Sequence, residues 1–275
     1  AEEFMYLYFD DTIKAIIPRW GGEFLIDMLP HLDYDKISKA PAKWILGFSD
    51  ISTLLFALTT MCDIATAHGP NLTDFASNPI DDSVMGVLRI LDDCESYEQQ
   101  SLKLYQEKWT DLTDDIQAPY QLSKEVAWKL LGDNDKVHSS GRLIGGCMDT
   151  LCKLLGTLYA PVQEYLSNYK KDGFVWFLES CEMSAADIYR TLWQMNLNGW
   201  FENCKGVLYG RPNGYSDTQG FTIEDALTNI FGKNNIPVIY DVDLGHVLRQ
   251  LTFINGAIVT VDDEEKLGTV VKYKK

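Results

Sequence analysis

Hydrophobic positions alternate between two rhythms over the first eighty residues. Short runs rich in β-branched and aromatic side chains, "IKAII" at Ile13–Ile17, "KWILGF" at Lys43–Phe48 and "IATAHG" at Ile64–Gly69, predict strands. Between them the spacing is helical, over Glu23–Leu29 and again over Ile51–Met61, where Ile51, Leu54, Leu55 and Leu58 share one face. Strands alternating with helices in this way predict βα units on a parallel sheet. After Asn78 the pattern loosens into an acidic, loop-rich passage to Asp135, with a helical stretch near Val84–Leu91. A second α/β pattern starts near Gly141. It carries the predicted strands "GFVWFLES" and "GVLYG", helices over Ala185–Asn198 and Ile223–Phe231, and a strand-rich tail from Ile236 to Val271.

This organisation predicts an N-terminal α/β domain over 1–95, an interdomain linker or lid with some strand content over 96–140, and a C-terminal α/β domain over 141–275. The chain opens "AEEFMYLYFDDTIKAII", a helix end running at once into a strand. That is the middle of a βα repeat, so further sequence is expected upstream.

Charge narrows the function. Forty acidic against 24 basic residues leave a net charge of -16, which repels phosphate backbones and anionic membranes, so nucleic acid and membrane surfaces are excluded as expected partners. The six cysteines form no CxxC pair and sit mostly in apolar segments, reading as reduced core residues of a cytoplasmic protein with no metal ribbon. No apolar run approaches the length of a membrane span.

The chemistry centres on "GFSD". Ser49 falls between a predicted strand and a predicted helix, at the carboxyl edge of a parallel sheet, where helix N–H groups favour an anion. The same position suits a helix N-cap, and the motif lacks the second glycine of the usual nucleophile elbow, so local chemistry alone favours capping. A nucleophilic serine needs a base. Among the four histidines, His31 reads as structural and His138 as solvated. His68, ending a strand in "AHGP", and His246, following the apolar run "IPVIY" in "DVDLGH", remain as rivals. Glu179 is the candidate acid, because it ends "FVWFLE", a run too apolar to carry an unpaired charge. Its alternative is a cap for the helix beginning near Ser184. Gly21 and Gly22 of "PRWGGE" allow close main-chain approach to a ligand. The N–H groups of Gly22 and Asp50 are the expected oxyanion donors.

Five runs taken together resemble one family. In order they are "RWGGEFLIDMLPHLDYDKISKAPAKWILGFSDIS", "AHGPNL", "GRLIGGCMDTLCKLLGTLYAP", "FLESCEMSAADIYRTLWQM" and "DLGHVLRQLTFINGA". The sequence is similar, from about Phe4 to Val261, to the LD-carboxypeptidase and microcin C self-immunity peptidases. That resemblance implies a flavodoxin-like parallel-sheet N-terminal domain and a smaller C-terminal α/β domain, with the site between them, commonly in a homodimer. It places the nucleophile on Ser49, the orienting acid on Glu179 and the base on His246, with His68 reduced to a structural or supporting role. Gly22 and Asp50 match the family's oxyanion donors, and no metal or cofactor is required.

The family divides by substrate. One branch trims the terminal D-residue from peptidoglycan tetrapeptides, and the other cleaves an aminoacyl or peptidyl nucleotide antibiotic. A nucleobase needs an aromatic stacking surface, for which Trp109 and Trp128 are the candidates beside Gly21 as a substrate contact. "FLES" and the Trp-bearing segment tilt the expectation to the immunity-like branch. Cys147 follows "IGG" where relatives often carry a polar residue, and marks a further expected substrate contact. A reading of another class, a non-catalytic two-domain ligand-binding protein in which Ser49 only caps a helix, stands beside these.

Overall fold

Two sheets flank one buried helix. The computed structural model describes residues 1–92, 96–108, 115–132, 137–262 and 270–274. The smaller sheet orders four strands, Ala15–Ile16, Trp44–Gly47, Thr66–His68 and Phe253–Asn255. Its first three strands are parallel, as the βα alternation predicts, and the fourth is antiparallel. The larger sheet has eight strands, in the order Ser96–Gln100, Val270–Lys274, Ile258–Asp262, His138–Cys147, Phe174–Glu179, Cys204–Gly210, Val238–Val242 and Lys129–Leu130. Its four consecutive strands from His138–Cys147 to Val238–Val242 are parallel and carry the crossover helices Ala185–Leu197 and Ile223–Phe231. Two strands of the larger sheet, Ser96–Gln100 and Lys129–Leu130, come from the passage between the two α/β parts, and Phe253–Asn255 of the smaller sheet comes from the C-terminal part.

The described residues of the passage over 96–140 carry strand content. Ser96–Gln100 and Lys129–Leu130 close the two ends of the large sheet, and Leu104–Tyr105 pairs with Lys124–Glu125 in a small ribbon. The predicted helix over Glu23–Leu29 is a 3-10 helix at Leu25–His31, with Pro30 inside it.

The helix Ile51–Cys62 sets the architecture. The spacing of Ile51, Leu54, Leu55 and Leu58 predicts one apolar face, but all its residues except Met61 are buried. Its buried Ser52, Thr53, Thr59 and Thr60 hydroxyls all find hydrogen-bond partners within the protein, so the helix can lie inside it on every side. Ile45 of the small sheet and Ile144 and Trp176 of the large one join its leucines in one core. Phe56 stacks on Trp200 at 5.2 Å between ring centres, and Trp200 stacks on Trp176 at 5.8 Å. Burying a Leu or Phe side chain contributes about 1.5–3 kcal/mol, so this helix holds the two sheets in register. Its N-terminus, with Ser49, thereby faces the carboxyl ends of strands from both sheets.

Asn255 ties the sheets from the other side. Its Oδ1 accepts from the Gly145 N–H at 2.8 Å, and its Nδ2 donates to Thr66 Oγ1 at 3.4 Å. Among the described residues no helix is long and apolar enough to cross a membrane.

Candidate active site

The strand Trp44–Gly47 ends beside Phe48, and the chain turns into the helix through Ser49, whose φ of 64° is left-handed. That conformation disfavours a side chain by about 1–2 kcal/mol. It also lifts the Ser49 hydroxyl out of the helix and toward His246. Capping, which local chemistry favours, does not occur here. Asp50 occupies the N-cap position, yet its side chain makes no bond to the helix backbone. Its Oδ2 instead accepts from the Leu25 N–H at 2.9 Å, anchoring the turn that follows Gly22.

Ser49 Oγ lies 3.0 Å from His246 Nε2, and His246 Nδ1 lies 2.9 Å from Glu179 Oε2. A carboxylate only accepts, so Nδ1 carries the proton and neutral Nε2 offers its lone pair to the serine hydroxyl. Glu179 is fully buried at the end of its strand. Its reading as a cap for the following helix fails, because Ser184 caps that helix through a capping box with Asp187. Burial pushes the Glu179 carboxyl up, but the His246 cation beside it prevails and holds it below its ordinary value. Burial likewise pulls His246 down, and the Glu179 carboxylate, with Cys181, outweighs it and raises the imidazole. The rival His68 is fully buried and pushed down to about 4, chiefly by desolvation, so it is neutral.

Two glycines make the array possible. A Cβ on Gly21 would lie 2.7 Å from Ser49 Cβ and 2.8 Å from its Oγ. At Gly245, with φ +90°, a Cβ would meet Glu179 Oε2 at 2.5 Å. Main chain therefore packs directly against both the hydroxyl and the carboxylate. Gly22 sits against Asp50 on the Ser49 side of the cleft, its own Cβ position 3.5 Å from Asp50 Oδ2.

The cleft over Ser49 and His246 is walled by Trp20, Gly21, Phe48 and Cys181. Asn71, Thr73, Asp74 and Asn213 complete it. Sequence reasoning missed most of these, since they come from loops and a short 3-10 turn without periodicity. Trp20 and Asn71 lie within the quoted motifs "RWGG" and "GPNL". Phe48 packs edge-on against the His246 ring at 5.1 Å between centres. The Cys181 N–H donates to Asp149 Oδ2 at 2.8 Å, and Asn213 Nδ2 donates to its sulfur at 3.4 Å.

Two expected substrate contacts, Cys147 and Trp128, lie elsewhere. Cys147 is buried and outside the cleft, with its N–H donating to Ser52 Oγ at 3.1 Å. Trp128 packs into the core of the large sheet and donates to Asp243 Oδ2 at 3.1 Å. Asp243 is fully buried against Arg211, 2.6 Å away. Trp128 answers that charge and does not line the cleft. Trp109 lies outside the described residues. His138, expected in a solvated loop, begins a strand and pairs with Asp262 while remaining exposed.

The ligand atoms of Cys147, Glu179 and His246 fall within 4.8 Å of one another, close enough to suggest a cation site. Burial and the nearby carboxylates of Glu179 and Asp149 push the Cys147 thiol well above its ordinary value. A thiol kept protonated is a poor metal ligand, and the Glu179 oxygen nearest His246 already accepts its Nδ1–H.

Comparison with known proteins gives the chain a family. Residues 1–69 match the LD-carboxypeptidase N-terminal domain and residues 140–261 the LD-carboxypeptidase C-terminal domain. The chain belongs to the LD-carboxypeptidase family. It is 28% identical to the microcin C7 self-immunity protein MccF of Escherichia coli over 97% of this chain and 76% of that one. It is 24% identical to a murein tetrapeptide carboxypeptidase of Pseudomonas aeruginosa over 85% of this chain and 67% of that one. A solved structure of MccF in complex with aspartyl sulfamoyl adenosine superposes with a TM-score of 0.81 at 25% identity, covering 100% of this chain and 80% of that one.

Proposed function

We propose that the protein is a serine-type amide hydrolase of the carboxypeptidase kind, with Ser49 as nucleophile, His246 as general base and Glu179 as orienting acid. The observation that carries this reading is the continuous chain of bonds from Ser49 Oγ through His246 to the buried Glu179 carboxylate. His246 Nε2 takes the Ser49 proton as the oxygen attacks the scissile carbonyl. The N–H groups of Gly22 and Asp50 hold the oxyanion, each such donor contributing about 3 kcal/mol to the transition state. His246 then passes the proton to the leaving nitrogen, and water attacks the acyl ester by the same route in reverse.

For the substrate, the reading supported best is the immunity-like one, an aminoacyl group joined to a nucleotide analogue. Trp20, 46% exposed on the cleft wall, offers an aromatic face for a nucleobase. Among the described residues that line the cleft none is Lys or Arg, and Asp74 adds a carboxylate. Among the described residues of the cleft, the terminal carboxylate of a murein peptide would meet no Lys or Arg to pair with. The same charge pattern favours a neutral or basic aminoacyl group over the aspartyl group of the compound bound in the MccF structure.

The test compares three compounds with wild-type protein and Ser49→Ala: a murein tetrapeptide, aspartyl sulfamoyl adenosine and alanyl sulfamoyl adenosine. Wild-type turnover is expected to be greatest on the alanyl compound and absent in Ser49→Ala. Faster release of D-alanine from the tetrapeptide than cleavage of either nucleotide would replace this substrate with the murein one.

A further inference from the structure

Two buried polar atoms near the site lack a hydrogen-bond partner within the protein. They are Nε2 of His68 and Oε1 of Glu179. Buried polar atoms are almost always paired, and leaving one unpaired costs about 1–3 kcal/mol. One of these atoms can donate and the other only accepts.

The tautomer of His68 follows from its other nitrogen. Ser52, in the first turn of the helix Ile51–Cys62, accepts the Cys147 N–H at 3.1 Å through its Oγ. The same Oγ lies 3.3 Å from His68 Nδ1. If Nδ1 carried the proton, the Ser52 hydroxyl hydrogen would have no acceptor. The His68 Nε2 lone pair would also be turned into a region shared with a carboxylate. With the proton on Nε2, Ser52 donates to Nδ1 and both conflicts vanish. His68 is enclosed on its flanks by Phe177 at 5.3 Å and Phe48 at 6.4 Å between ring centres. The titratable groups acting on it are Glu179 and His246.

We infer that His68 is a positioning residue for the Ser49, His246 and Glu179 array, its Nε2–H donating through one bridging water to Glu179 Oε1. The inference rests on the function proposed above. The carboxylate is then held at both oxygens, by His68 through the water on Oε1 and by His246 Nδ1 on Oε2, beside the Cys147 thiol that also bonds to it, and cannot rotate away from the imidazole. The grip joins the two domains, since His68 and Ser52 belong to the N-terminal sheet and helix while Glu179 ends a strand of the large sheet.

Two substitutions separate this role from mere packing. In His68→Gln the side-chain amide nitrogen reaches the place of Nε2 and keeps the donor. In His68→Asn the amide reaches only the place of Nδ1 and loses it. The readout is the rate at which a fluorophosphonate modifies Ser49, followed from pH 5 to 10. His68→Asn is expected to react about 10-fold to 100-fold more slowly, the loss of one hydrogen bond to a charged group. Its acid limb should move to higher pH, because a carboxylate without the His68 donor holds the His246 cation more firmly. His68→Gln should recover both rate and limb. Equal rates in all three proteins, or equal losses in both variants with an unmoved limb, would overturn the inference. A wild-type protein that is not labelled at all would instead overturn the proposed function, so the two failures are distinct. Nitrogen-15 NMR of the wild-type histidines gives an independent check. His68 should be the neutral Nε2–H tautomer from pH 5 to 8, and an Nδ1–H tautomer would contradict the inference.

Discussion

Ser49 Oγ and His246 Nε2 lie 3.0 Å apart although 197 positions separate the two residues in the chain. Neither arrives there by local preference. Ser49 is held in a left-handed turn at the start of a helix buried on almost every side, and His246 hangs from a loop that Gly245 presses against Glu179. The contact joins the end of one sheet to the end of the other, so the site exists only when both have folded and docked.

The left-handed φ of Ser49 makes a separable expectation about stability. Ser49→Ala and Ser49→Gly both remove the hydroxyl and should lower activity by at least about 1,000-fold. Glycine relieves the backbone and alanine does not, so Ser49→Gly should unfold at a higher denaturant concentration, by about 1 kcal/mol in stability. Urea titration of the two variants measures the difference.

Glu179→Gln is expected to act on both rate and pH. The carboxylate raises His246 above its ordinary histidine value, so the base form grows in as pH rises through that raised value, and kcat/KM should show an acid limb above about pH 6.5. Removing the charge leaves burial to pull the imidazole down. The limb should shift to lower pH while the plateau falls by roughly 1,000-fold to 10,000-fold. Linkage has the matching signs. The His246 contribution to stability is complete below the unfolded histidine value and is lost as pH rises through the raised folded one. That of Glu179, whose folded value is lowered, is present above the unfolded carboxylate value and is lost as pH falls through the folded one. Denaturant titrations of wild type and Glu179→Gln across pH 3 to 9 test both signs.

Much of this was legible in the sequence for physical reasons. The period-2 and period-3.6 runs marked the three parallel strands and the central helix, and an acid closing the run "FVWFLE" stood out because an unpaired charge there would be costly. What escaped was set by long-range pairing. Phe253–Asn255 is only three residues long and joins the N-terminal sheet rather than the sheet of its neighbours in the chain, which no local pattern encodes. Asp50 has the composition of a cap, yet tertiary contact with the Leu25 N–H wins its carboxylate. Nothing near Trp128 in the chain marks it as the partner of a buried carboxylate, because Asp243 is 115 positions away.

Gly21→Ala should impair activity far more than it impairs folding. The added methyl would have to displace the Ser49 side chain, whose Cβ would be 2.7 Å away. A misplacement of about 1 Å in a reacting group can cost 100-fold. Steady-state kinetics should show kcat down by about that factor, with circular dichroism unchanged.

Trp128→Phe should be destabilising without touching substrate affinity. It removes one hydrogen bond to the buried Asp243 carboxylate, worth about 1.5–3 kcal/mol, while Arg211 and the Leu102 N–H still hold that charge. Thermal unfolding should shift downward and KM should stay within twofold of the wild-type value, about the scatter expected of a residue outside the cleft. A tenfold rise in KM would return Trp128 to the substrate.

The central claim, that Ser49 is the nucleophile activated by His246, is tested most directly by mass spectrometry after incubation with a fluorophosphonate. Wild-type protein should gain one adduct, mapped by peptide sequencing to Ser49, and His246→Ala should gain none on the same timescale. Protein that hydrolyses its substrate yet carries no adduct, or carries it on a residue other than Ser49, would contradict the account.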